Sequence, residues 1–178
     1  MVKITMTQKK WLLFIHLFFS SIMLGGALTF LILSINAGVA KDANQLQMCY
    51  AAMHILAKTS VRVSTIGATV SGVLLSLLTH WGMFKYYWII VKQLLTLLSI
   101  YLGIIGMYNW TLKAFEVTSA EGLNALHNSV YMVNDQQLWV GIILQIISVV
   151  SMFILSVFKP WGKRKTSIIT RRWEPDQG

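Results

Sequence analysis

The run YYWIIVKQLLTLLS, residues 86 to 99, holds a single charge, Lys92. An ammonium group in such a run is costly to dehydrate unless it meets a partner, a ligand or the lipid headgroups. Its helical neighbours Thr96, Ser99 and Gly103 form the smallest and most polar face of that segment. His16, in FIHLFFSSIMLGGALTFL, poses the same question, with Ser20 one turn later and Met23 and Ala27 continuing its face. Lys92 lies about 9 Å past the start of its apolar run at 1.5 Å per residue. His16 is a comparable distance past the same edge, and His80 stands at that edge. Lys92 reads either as a cation aimed into a bundle at a bound anion or as a lysine snorkelling to the headgroups along its stem. His16 reads either as a cofactor ligand or as an imidazole hydrogen-bonded to a serine or a carbonyl.

A second set of chemically able residues lies near the opposite edge. His54, Lys58 and Arg62 recur at four-residue spacing and so share one helix face. His127 precedes the last apolar run by about as much as His54 precedes the second, which places the two imidazoles at similar height. Two facing histidines with cations beside them would ligate a haem iron and hold its propionates. Met48, Cys49, Met53 and His54, with Met132 near His127, make a sulfur and imidazole set suited to Cu(I). The plain alternative for both is a solvated basic face with methionines filling a core. Neither GxSxG nor HExxH occurs, and no acid lies in an apolar run. Asp42, Glu116, Glu121 and Asp135 read as solvated loop residues. Conventional soluble catalysis finds no support, and any enzyme here would be a haem-dependent oxidoreductase.

The elements that must position these groups are membrane helices. The chain is 56% hydrophobic and only 12% charged, about half the charge of an ordinary soluble domain. Trp11 to Ala40, Val63 to Thr79 and Leu138 to Phe158 are uncharged, and Tyr86 to Trp110 holds only Lys92. Each run can span about 30 Å of hydrocarbon as a helix. The first run is longer than the apolar region of a secretion signal and reads as a permanent span. The net charge of +9 gathers beside the runs rather than in a nucleic-acid-binding patch. Lys3, Lys9, Lys10, Lys85, Lys159, Lys163, Arg164, Lys165, Arg171 and Arg172 fall on one side. Lys41, Lys58, Arg62 and Lys113 fall on the other, so the positive-inside bias puts both termini in the cytoplasm. Trp11, Trp81, Trp88 and Trp161 mark the inner boundary, and Trp110 and Trp139 the outer one. The single cysteine excludes an intrachain disulfide.

The expected fold is therefore all-α, a four-helix transmembrane bundle over residues 1–161 followed by a basic cytoplasmic tail over 162–178. The short link from His80 to Lys85 makes helices two and three antiparallel neighbours. No glycine or proline interrupts Ala43 to Arg62, so helix two should begin near Ala43, well outside the membrane. Ser119-Ala120-Glu121 could start the fourth helix, with Ser119 as its cap. Helices two and four would then project outward together. The tail suits anionic lipid headgroups. Ser60, Ser64, Ala68, Gly72 and Ser76 form a stripe of small residues on helix two. It would serve close packing in the bundle, a flat cofactor, or docking of a partner membrane helix or a second copy.

FIHLFFSSIMLGGALTFL resembles the first helix of bacterial four-helix families that open with a histidine followed by a small or glycine pair. VSGVLLSLLTHWGMFKYYWIIVKQLLTLLSIYLG resembles their next hairpin, with an aromatic residue and then a lysine in the third helix. The grouping includes the CopD copper-resistance membrane domain and the HemJ type of protoporphyrinogen oxidase, and the likeness spans about three helices. The resemblance to the HemJ type implies haem ligation at His16 and a functional role for Lys92. The arginine that type carries late in its first helix has no counterpart here. The resemblance to CopD implies copper movement or tolerance. Three functions follow as expectations: a b-type haem-binding, redox-linked protein of the bacterial cell membrane, a Cu(I)-handling protein, or a non-catalytic membrane subunit or assembly factor.

Overall fold

A computed structural model of the chain describes residues 4–78, 84 and 86–160. His80, Trp81, Lys85, Trp161 and the basic tail lie outside the described residues. Four helices are long and apolar enough to cross a membrane: helix one, Met6–Gly38; helix two, Ala43–Leu78; helix three, Tyr87–His127; and helix four, Ser129–Phe158. The end carrying the start of helix one and the close of helix four is called the inner end below.

Local sequence sets where three of the helices begin. Thr5 and Gln8 form a reciprocal capping box, each side chain accepting from the other's backbone N–H, at 2.9 and 3.2 Å. Asp42 caps helix two by accepting from the Gln45 N–H at 2.8 Å, and Asn128 caps helix four by accepting from the Val130 N–H at 2.8 Å. Helix two thus starts at Ala43, as its uninterrupted composition requires.

Helix four starts later than Ser119. That residue lies inside helix three, where its hydroxyl donates to the Phe115 carbonyl at 2.7 Å. No glycine or proline stops helix three between Trp110 and Glu121. It yields only at Gly122, in a left-handed conformation (φ +58°) beyond which a 3-10 segment runs to His127. The outward projection is therefore built from three helices: the start of helix two, the end of helix three and the start of helix four.

Neighbouring helices pack as a square, one against two, two against three, three against four and four against one. Helices two and three adhere chiefly through their outer halves. The main apolar core is also outer, with Phe30, Leu46, Tyr50, Met53, Met107, Leu138 and Ile142 all inaccessible. At the inner end, among the described residues, Trp88, Ile89 and Leu155 form a small buried apolar cluster. The small-residue stripe of helix two faces helix one, so it serves close packing within the bundle. Gly72 lies under His16, and Gly67 on the neighbouring stripe lies under the Phe19 ring. Two π-helical turns, Ala57–Val61 and Tyr101–Gly106, meet where helices two and three adhere. Each shifts the side-chain register of its helix, a distortion common at functional sites.

Candidate functional site

His16 is half-buried against helix two. Its Nδ1 lies 3.0 Å from the Ala68 carbonyl oxygen and 3.1 Å from Ser71 Oγ. A carbonyl can only accept, so Nδ1 carries the proton and donates. In the neutral ring Nε2 is then the bare nitrogen, and it has no hydrogen-bond partner among the described residues. The Ser71 hydroxyl is oriented in turn by donating to the Gly67 carbonyl at 2.6 Å. Gly72 allows the imidazole this close, since a Cβ there would stand 3.1 Å from His16 Cε1. A histidine whose Nδ1–H is held by a backbone carbonyl is set to offer Nε2 to a metal.

Lys92 sits across the inner half of the bundle, on helix three. Its ammonium donates to Ser156 Oγ on helix four at 2.7 Å, and that hydroxyl donates on to the Met152 carbonyl at 2.7 Å. Thr96, one turn further, donates to the Lys92 carbonyl at 2.8 Å and lies 3.5 Å from Met152 Sδ. Among the described residues, the helices that carry Lys92 and His16 do not pack directly on one another, and the two groups stand across the diagonal of the bundle. Helices one and two thus hold the imidazole, and helices three and four hold the amine of Lys92, in the half of the molecule with the least apolar core.

The outer candidates are arranged differently from the expectation of one shared face. The π turn at Ala57–Val61 breaks the four-residue register, leaving Lys58 exposed while His54 and Arg62 both turn to Tyr108 on helix three. The Arg62 guanidinium lies 5.1 Å from the Tyr108 ring centre, and the His54 ring lies 5.1 Å from it on a tilt. His54 Nδ1 also approaches Thr111 Oγ1 at 3.3 Å. His127 is exposed, five residues past Gly122, whose missing Cβ would touch Ala43. His54 lies eleven residues further down helix two, about 16 Å away along the axis. His54 and His127 therefore stand at different heights and do not face each other.

The sulfur set is divided too. Met53 is buried and accepts from Ser34 Oγ at 3.6 Å, Cys49 is buried in the core, and Met48 and Met132 are exposed. Met48, Cys49 and Asp42 edge a shallow outer hollow of about 650 Å³, out of reach of His54 and His127. Among the described residues, no three His, Cys, Asp or Glu side chains converge as a metal site.

One polar network went unread in the sequence. Tyr50 donates to Asp135 Oδ1 at 2.8 Å, and Tyr131 and Tyr50 share a hydroxyl hydrogen bond of 2.7 Å, with both rings buried. Asp135 is thus a partly buried acceptor rather than a solvated loop acid. Its four-residue spacing from Tyr131 was the available signal, but Tyr50 is distant in sequence. The network ties helix two to helix four at the outer end.

No protein-family model, curated protein or solved structure matches this chain.

Proposed function

We propose that this chain is a b-type haem-binding, redox-linked protein of the bacterial plasma membrane, with cytoplasmic termini, in the CopD-like and HemJ-like grouping. The observation that carries the reading is the His16 imidazole, held by its Nδ1–H to Ala68 with Nε2 unpartnered among the described residues, in the same inner half of the bundle as the Lys92 ammonium on the diagonal helix. The donor set fits a haem in kind: one imidazole for iron and one cation for a propionate. It fits Cu(I) poorly, because the sulfur ligands are dispersed.

His16 would hold the iron side through Nε2, and Ala68 and Ser71 fix the ring orientation and the tautomer that leaves this nitrogen free in the neutral ring. Lys92 would neutralise a propionate, oriented by Ser156. The apolar helices around them keep bulk water from the pair. A haem held there supplies one-electron redox chemistry. His54, Arg62 and Lys58 lie too far out to join this site, and His80 falls outside the described residues.

Haem content tests the reading. Protein purified from cells supplied with haem should yield about one haem b per chain in a pyridine haemochrome assay. Retained copper without haem would favour the Cu(I) function instead. Protein holding neither would favour a non-catalytic subunit.

A further inference from the structure

Gln145 on helix four is 1% exposed, and among the described residues neither its Oε1 nor its Nε2 has a hydrogen-bond partner. Ser99 on helix three is 2% exposed, and its hydroxyl is likewise unpartnered among the described residues. The pairings of Lys92 with Ser156 and Thr96 with Met152 fix the antiparallel register of helices three and four. Carried outward, that register sets Ser99 opposite the turn holding Ser148, with Gln145 one turn beyond at the level of Gly103. Thr65 of helix two reaches the same level, since a Cβ on Gly103 would stand 3.0 Å from its Oγ1. Ser99, Ser148, Gln145 and Thr65 thus make a buried polar layer midway through the apolar spans.

Buried polar groups in a membrane protein are almost always paired, and hydrocarbon offers no substitute. The Gln145 amide presents an acceptor and two donors, and Ser99 presents one of each. A guest satisfying both must donate and accept and must be small. The layer carries no charge, so the guest is neutral. We propose that Gln145 and Ser99 hold internal water in the middle of the bundle. Lys92, Thr96 and Ser99, spaced four and three residues apart on one face of helix three, connect that water to the inner end. The proposal stands whether or not His16 carries a metal.

Solid-state NMR of protein labelled with 15N-glutamine in bilayers tests it directly. The Gln145 side-chain signal is identified by its loss in Gln145→Leu. Water-to-amide polarisation should build up at Gln145 within about twofold of the rate at exposed Gln136, as for a group bonded to ordered water. Ser99→Ala should reduce that transfer. An absence of transfer at Gln145 in the unsubstituted protein would overturn the proposal. Thermal melting gives a second reading. Gln145→Leu should leave Tm equal or lower, because water bonds are lost with the amide. A higher Tm would mean that an orphan amide in a dry core had been relieved, which contradicts bound water.

Discussion

At the residue scale, His16 and Lys92 do the same unfavourable thing for different neighbours. Each places a polar head in the inner half of an apolar helix, and each is tethered by one strong contact across a helix pair. Their shared depth was legible because both can be counted from the same membrane edge. Their tethers were not, since Ala68, Ser71 and Ser156 are ordinary small residues until helices bring them near. The Ala68 contact makes a specific prediction. In 15N spectra of histidine-labelled protein prepared without haem, His16 should show a protonated Nδ1 and an unprotonated Nε2. A proton found on Nε2 would remove the ligand from the account. Lys92→Met should keep the protein folded, since an apolar replacement of a buried cation is tolerated. It should weaken haem retention about tenfold or more if the ammonium pairs with a propionate. Unchanged retention would reduce Lys92 to a packing and headgroup role.

At the element scale, the four helices and their inner and outer ends follow from runs of apolar residues and flanking lysines. The breaks within them do not. Helix three passes its expected end because Trp110 to Glu121 contains no stop signal, and only a left-handed glycine ends it. The π turns carry no distinctive sequence mark: one reads AKTSV, and the two glycines of the other, YLGIIG, also occur in unbroken helix at Gly67 and Gly72. Close packing supplies two predictions. Trp110 sits in a notch that Gly106 and Gly141 leave open, and its carbonyl accepts from Asn134 Nδ2 at 2.6 Å. A methyl at Gly141 collides with that ring, so Gly141→Ala should destabilise the protein by about 1–3 kcal/mol in reversible denaturation. An unchanged midpoint would show that Trp110 lies elsewhere. Tyr50→Phe removes the bond to Asp135 and the link to Tyr131, at a cost of about 1–3 kcal/mol. Phe at this position should leave haem content untouched, because the network belongs to the outer end.

At the scale of the whole molecule, the two halves of the bundle differ in how they are filled. The apolar core and the tyrosine–aspartate network close the outer half, while the inner half holds the imidazole and the ammonium. The lysine and arginine bias predicts the orientation across the membrane, and a single reporter checks it. In a Cys49→Ala background, Val39→Cys, on an exposed position past the end of helix one, should react with an impermeant maleimide on intact cells. Reaction only after lysis would invert the topology. The central claim, that His16 is the ligand of a bound haem, is met most directly by the visible spectrum of the purified protein beside those of its histidine variants. The account predicts a Soret band that survives His54→Ala and His127→Ala and disappears in His16→Ala. A protein without that band when haem is supplied, or a band that persists in His16→Ala, would contradict it.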